Sequence, residues 1–272
     1  MMGKLTKGNR WLLIAVFALI CSFNGVKEKS LHIVFIGDSI TFGAGVTDRD
    51  QFAPPVIAAS YLKQMPLVKN VHFFNAGKSG ATTVDFLPGT GNFNRAVQAA
   101  DGFNRDIQQL SEEQRKTDLL VFSIMLGTND SAIEGPNGAP VTPDRYRQNL
   151  TVIIDRLLVL YPACKIVLQE APWYSDNTYN GSKYLKAGRE RLLSYQPVLS
   201  ALVASYKKEK PGSVLLGDKT AFSYFKKNYA HAMKPEKGHQ GIFYLHPDNS
   251  GSTVLGDKWA KAIYKAAFKN PD

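Results

Sequence analysis

Five short, largely apolar runs rich in β-branched and aromatic residues recur along the chain: Ile33–Ile36, Val71–Phe74, Leu119–Leu126, Lys165–Gln169 and Val214–Leu216. Polar or glycine-rich turns and stretches with helical spacing separate them, and this alternation is what a parallel sheet covered by helices produces. Near-continuous hydrophobicity within the runs, in place of strict in–out alternation, marks strands buried on both faces. The expected fold class is therefore α/β, a three-layer α/β/α sandwich around a five-stranded parallel sheet.

The helical stretches carry their own punctuation. Thr142 is placed as an N-cap with Pro143 at the first helical position, and Tyr146, Leu150, Ile153, Ile154, Leu157 and Leu158 then fall on one face before Pro162. Comparable patterns cover about Asp50–Gln64, Asn92–Leu110, Tyr184–Lys208 and Ser252–Phe268. Two long connections, Ser131–Val141 and Trp173–Lys183, are rich in Gly, Asn, Pro and Tyr, and long loops in a compact domain are often functional.

The 272 residues suit one domain, and 44% hydrophobic with 21% charged residues is ordinary globular usage, which excludes a disordered chain or a coiled coil. Residues 1–25 stand apart. Lys4, Lys7 and Arg10 precede an apolar run from Trp11 to Ile20 that ends in Cys21-Ser22-Phe23-Asn24-Gly25, the layout of a secretory signal peptide. The run is shorter than the ~20 residues of a membrane span, so no stable span is expected after cleavage. The expected organisation is a signal peptide over 1–25 and a single domain over 26–272, exported to the periplasm or secreted. Cys21 also permits a lipoprotein reading, but Ile20 before it is larger than the residue usually found there, so lipidation is not favoured. Without Cys21 the only cysteine is Cys164, and no internal disulfide can form.

The formal net charge is +10; losing Lys4, Lys7 and Arg10 with no acid in that segment leaves +7. The lysines are scattered, with short clusters at Lys207-Lys208 and Lys226-Lys227, and no arginine stripe or nucleic-acid motif accompanies them. A basic solvated surface is expected, not a nucleic-acid partner.

The first strand runs directly into Gly37-Asp38-Ser39-Ile40-Thr41-Phe42-Gly43. A serine at the carboxyl end of a buried parallel strand stands where open α/β sheets place their ligands. The flanking residues match neither a phosphate loop nor a G-x-S-x-G elbow. A serine hydroxyl needs a base to become nucleophilic, and five histidines are available. His32 and His72 begin strands at the opposite edge of the sheet, while His231 and His239 sit in a polar, lysine-rich stretch that reads as solvated loop. His246, in Tyr244-Leu245-His246-Pro247-Asp248, lies on a proline-restrained loop before the last helix. On the residues alone, a structural role for it is as consistent as a chemical one. Strands two and three end in Asn75-Ala76-Gly77-Lys78-Ser79-Gly80 and Gly127-Thr128-Asn129-Asp130, turns whose backbone and carboxamide N–H groups could face a reacting oxygen.

Taken in order, these four segments resemble the blocks of the SGNH (GDSL-type) hydrolases, over the chain from about Leu31 to its end. The resemblance implies a flavodoxin-like sandwich and a serine esterase. In it Ser39 is the nucleophile and His246 the base, and the Ser39 N–H, the Gly80 N–H and the Asn129 side chain form the oxyanion hole. Asp38 and Asp130 brace their turns. No metal or organic cofactor is implied. One position departs from the pattern: the family's histidine usually follows an aspartate by three residues, and here that residue is Phe243. A Ser–His dyad with a backbone carbonyl on the ring is the first expectation, then Glu236 in the preceding loop, then Asp248.

The Gly45–Asp50 stretch and the Ala171-Pro172-Trp173-Tyr174 loop look similar to bacterial carbohydrate O-acetylesterases, including the sialate type. This implies an acetylated glycan as substrate; separately, the aromatic faces of Trp173 and Tyr174, with the amides of their loop, suit a sugar ring. A lysophospholipase or thioesterase of the same fold, and a non-catalytic glycan-binding domain, are the alternatives; the missing aspartate is the support for the last.

Overall fold

The structure is a computed structural model that describes residues 27–268; the segment 1–25 read above as a signal peptide, with Cys21, lies outside the described residues. In chain order the elements are β1 (Lys29–Gly37), α1 (Ser39–Phe42), α2 (Arg49–Phe52), α3 (Pro54–Lys63) and β2 (Val68–Asn75), then a 3₁₀ turn at Val84–Phe86. They continue with α4 (Gly91–Gln109), α5 (Glu112–Arg115), β3 (Asp118–Met125), α6 (Pro143–Leu160), β4 (Lys165–Leu168), α7 (Leu185–Glu209) and β5 (Val214–Leu216). The chain closes with α8 (Ala221–Ala232), β6 (Met233–Gly238), β7 (Gly241–Pro247) and α9 (Asn249–Phe268).

The five predicted strands form one parallel sheet in the order β2-β1-β3-β4-β5. Every residue of β1 from Ser30 to Gly37 is buried, so both faces of the central strand are covered, as its unbroken hydrophobicity requires. Phe35 stacks on Trp259 of α9 at 6.0 Å between ring centroids. α9 also packs against α3, closely enough that a Cβ on Gly256 would fall 2.5 Å from Ile57 Cγ2. In α6, the Arg145 N–H donates to Thr142 Oγ1 at 3.2 Å, and the whole predicted apolar face is buried.

The chain leaves β1 to one side to make β2 and returns on the other side to make β3. The switch point of the sheet therefore lies between β1 and β3, where the carboxyl ends open a crevice. Gly37 pairs with Met125 across β1 and β3, and Phe35 with Asn75 across β1 and β2. The turns after all three strands thus emerge side by side.

Two expectations need correction. The helix expected over Asp50–Gln64 is two helices, broken at Ala53 with φ −59° and ψ 140°, because a residue before proline is excluded from the helical region and Pro54-Pro55 follows. The stretch read as loop around His231, Glu236, His239 and His246 is a helix, α8, followed by an antiparallel hairpin, β6–β7. His239 and Gln240 make its two-residue turn, between Gly238 and Gly241. No helix among the described residues is long and apolar enough to cross a membrane.

Candidate active site

Tight packing fixes the turn after β1. A Cβ on Gly37 would lie 2.0 Å from Thr41 Oγ1 and 2.7 Å from the Met125 carbonyl oxygen, so the strand can leave the sheet here only as glycine. Asp38 caps the following short helix, its Oδ1 accepting from the Ile40 N–H at 2.9 Å. Gly43 ends that helix at φ 91°. Ser39 is thereby held at the first helical position, 8% exposed.

The turn after β2 is locked onto the first. The Asn75 carboxamide donates to the Thr41 carbonyl and accepts from the Gly77 N–H, both at 2.9 Å, and the Lys78 N–H donates to the Gly37 carbonyl at 3.0 Å. Gly80 is exposed, with φ +78° and open space where a Cβ would stand. Its conformation, not crowding, calls for glycine. After β3, Asn129 is 2% exposed. Its Oδ1 accepts from the Tyr184 hydroxyl at 2.6 Å, and its Nδ2 donates one of its two hydrogens to the Ala81 carbonyl at 2.9 Å. Tyr184, invisible to motif reading because it comes from the start of α7, thus fixes the orientation of the carboxamide.

The two aspartates behind these turns are fully buried. Asp130 accepts from the Thr83 N–H with both oxygens, at 3.0 and 3.1 Å, and from the Thr83 hydroxyl, while Asn149 Nδ2 donates to Thr83 Oγ1 at 2.8 Å. Burial pushes the Asp130 carboxyl up to about 7, against the Thr83 hydrogen bonds that favour the charged form. Asp38 is pushed up to about 6, again by burial and against the Ile40 N–H. Both hold turns in place and neither reaches the crevice through a hydrogen bond to Ser39 or His246.

The histidine arrives from the hairpin. His246 Nε2 stands 2.9 Å from Ser39 Oγ, and Nδ1 stands 2.8 Å from Glu236 Oε1. Glu236 lies on β6. The expected dyad, with a backbone carbonyl on the ring, therefore gives way to a carboxylate on Nδ1. Asp248 is occupied elsewhere, its Oδ1 accepting from the Gly251 N–H at 2.9 Å at the start of α9.

The structure does not bring Trp173 and Tyr174 to the surface of the site. Tyr174 is fully buried, with its hydroxyl 2.8 Å from Ser131 Oγ, and Trp173 is 7% exposed and packs on Tyr229 at 5.5 Å. The apolar side of that loop faces the core, and Asp176, Asn177, Tyr179 and Asn180 make its outer side. Of the other histidines, His32 is buried with Nε2 2.8 Å from Asp118 Oδ1 and stacks on His72, far along β1 from Ser39. His231 is exposed at the end of α8, and His239 sits in the hairpin turn against Tyr179.

A serine hydroxyl, an imidazole and a carboxylate joined in one hydrogen-bonded chain, at the switch point of a parallel sheet, are the constellation of serine hydrolases. The chain belongs to the GDSL-like Lipase/Acylhydrolase family, whose profile matches residues 35–253. No curated protein matches the chain. Among solved structures it is similar to Est24, a carbohydrate acetylesterase from Sinorhizobium meliloti, with 17% identity and a TM-score of 0.53 over 87% of this chain and 98% of that one. It is also similar to the aryl esterase of M. smegmatis, with 20% identity and a TM-score of 0.52 over 86% and 99%. A variant of Axe2, an acetyl xylan esterase from Geobacillus stearothermophilus, aligns with 18% identity and a TM-score of 0.51 over 89% and 97%. At such identities the likeness is one of fold, and it is the SGNH hydrolase fold that the four sequence blocks resemble.

Proposed function

We propose that the protein is an exported serine esterase that removes O-acetyl groups from carbohydrate. The observation that carries this reading is the 2.9 Å approach of His246 Nε2 to Ser39 Oγ, on a serine held at the carboxyl edge of the sheet. His246 takes the hydroxyl proton as Ser39 attacks the ester carbonyl carbon. The carbonyl oxygen becomes an oxyanion, which receives hydrogen bonds from the N–H groups of Ser39 and Gly80 and from the second amide hydrogen of Asn129. His246 then gives its proton to the departing alcohol. Water, deprotonated by the same imidazole, releases the acid and restores Ser39.

The pattern of residues 1–25 supports export, and the fold likeness to a carbohydrate acetylesterase and an acetyl xylan esterase supports the substrate class. The missing aspartate at residue 243 was the ground for a non-catalytic scaffold, and the carboxylate on Nδ1 removes it.

The test is an acyl-chain series of p-nitrophenyl esters, run beside Ser39→Ala. Acetate should be the preferred acyl group, octanoate should be a poor substrate, and Ser39→Ala should lose about 10⁶-fold in kcat, the scale on which loss of a triad serine acts. Acetate release from acetylated xylan and acetylated sialic acid should then separate the sugars. A preference for long acyl chains would favour the lysophospholipase or thioesterase alternative.

A further inference from the structure

We infer that Glu236 is the positioning acid of this site, supplied from the neighbouring strand in place of the residue three before the histidine, and that a one-residue bulge in β7 brings it to His246. The inference rests on the esterase reading above.

For His246 Nε2 to accept the serine proton, the ring must carry its own proton on Nδ1. The carboxylate of Glu236, with Oε1 2.8 Å from Nδ1, can accept but not donate, and so selects that tautomer and ring orientation. Phe243 cannot do this, being an apolar ring only 1% exposed. The pairing of the hairpin shows where the acid has gone. Gly238 pairs with Gly241, Lys237 with Ile242, Glu236 with Phe243 and Pro235 with Tyr244. Residues directly opposite in an antiparallel pair project from the same face, roughly 5 Å apart. Glu236 thus emerges at the level and on the face of residue 243, from the adjacent strand.

Parity then raises a difficulty that the structure resolves. Successive side chains of a strand alternate faces, so in an uninterrupted β7 residues 243 and 246 would point to opposite sides. Glu236, on the face of residue 243, would then be turned away from His246. The register shifts between Met233 and Pro235, and Met233 pairs with Pro247. Lys234 alone therefore spans two residues of β7, Leu245 and His246. An extra residue of this kind bends the strand and re-aims its side chain.

The neighbours permit it. Pro235 has no N–H to give the ladder, and proline in a sheet is confined to edges and bulges. The N–H of Tyr244, which lies opposite it, donates to Ser175 Oγ at 2.9 Å, and the Tyr244 carbonyl accepts from the Ser175 N–H, also at 2.9 Å. On the other flank Gly45 packs so closely that a Cβ there would fall 2.7 Å from His246 Cβ and 2.1 Å from the Pro247 carbonyl oxygen. The far end of the hairpin is clamped as well. Asn177 Nδ2 donates to the Gln240 and Ile242 carbonyls at 3.1 and 2.7 Å, and the His239 N–H donates to the Tyr179 carbonyl at 2.8 Å.

Glu236→Gln preserves shape and removes charge. Its kcat on p-nitrophenyl acetate should fall about 10²–10⁴-fold, as expected when the group that fixes the tautomer is neutralised, with KM and the thermal midpoint near those of the unaltered protein. Glu236→Asp should retain more kcat than Glu236→Gln, because it keeps the charge. Adding Phe243→Asp to Glu236→Gln returns a carboxylate from β7 and should recover at least about a tenth of the lost activity. If kcat is unaltered in Glu236→Gln while Ser39→Ala is inactive, the positioning role is overturned and the esterase reading stands. Equal losses in the Gln and Asp variants would also overturn it, since shape and not charge would then matter. A folded double variant without recovery would overturn the cross-strand equivalence. Should that variant not fold, the Gln and Asp comparison decides. Activity remaining in Ser39→Ala would instead remove the esterase reading itself.

Discussion

The carboxyl edge of the sheet and the β6–β7 hairpin meet at the hydrogen bond between Ser39 and His246, yet they are built on opposite principles. The sheet edge is buried and over-determined. Its three turns are tied to one another through Asn75, Lys78 and Thr83, Gly37 and Gly77 have no room for a side chain, and its acids are dry. The hairpin has only two strands, one of them, β6, largely polar. A two-stranded hairpin is marginal on its own, and this one depends on the Trp173–Lys183 loop through Ser175, Asn177 and Tyr179. Its acid, Glu236, is 21% exposed at the side chain and faces the imidazole, whereas Asp38 caps its own turn and Asp130 reaches across to Thr83 in the stretch after β2. In the reaction proposed above, one region supplies the nucleophile and the oxygen-binding turns; the other supplies the proton acceptor and what orients it.

The sharpest way to break this division is at Asn129. If the sheet edge contributes the oxyanion donors, Asn129→Ala should lower kcat about 10²–10³-fold with little change in KM, while the unpaired Tyr184 hydroxyl and Ala81 carbonyl cost about 1–3 kcal/mol of stability each. Tyr184→Phe, which removes the 2.6 Å bond that orients the carboxamide, should give a smaller loss in the same direction. Near-normal kcat in a folded Asn129→Ala protein would remove Asn129 from the oxyanion hole and leave the edge with backbone donors alone.

This division also explains what could be read from the amino acids. Strands such as Ile33–Ile36 are continuous apolar runs because both faces are covered, and their ends are marked by Gly37, Gly80 and Asn129, so the sheet and its turns are legible in sequence. The hairpin is not. β6 reads Met233-Lys234-Pro235-Glu236-Lys237-Gly238, with neither alternation nor β-branched residues, and its pairing is settled by a partner strand and a loop distant in sequence. The usable signal was local: Gly238-His239-Gln240-Gly241 before the apolar Ile242-Phe243-Tyr244-Leu245, a two-residue connection flanked by glycines. No spacing rule finds Glu236, ten residues before His246, because the contact depends on a bulge. The aromatic loop misled for the reverse reason, since Trp173 and Tyr174 are large enough to be core residues and the structure uses them so.

The dry acids of the sheet edge should also appear in the pH dependence of stability. Asp130 is raised from its ordinary 3.8 to about 7 and Asp38 to about 6. From about pH 4 upward, therefore, the unfolded chain has released protons that the native protein still holds. Stability contributed by these groups then falls as pH rises through that window, by at most about 1.4 kcal/mol per pH unit for each group. Asp130→Asn cannot ionise, so thermal melts between pH 4 and 8 should show a shallower decline than in the unaltered protein, whatever the absolute midpoint. An identical slope would mean that Asp130 is ionised in the fold throughout.

The smallest effect should come from Asp248, which separates the two regions most finely because it lies two residues beyond His246. Its Oδ1 accepts from the Gly251 N–H, the place of an N-cap on α9, and Asp248→Ala should cost about 1 kcal/mol of stability. Catalysis should be unaffected within about twofold, since the ring already has its carboxylate from β6 and the cap acts on a helix whose packing against α3 is intact. Chemical denaturation run beside kcat checks this. A large fall in kcat with unchanged stability would show that Asp248 reaches the imidazole during turnover, and the division between an orienting hairpin and the helix that follows it would have to be redrawn.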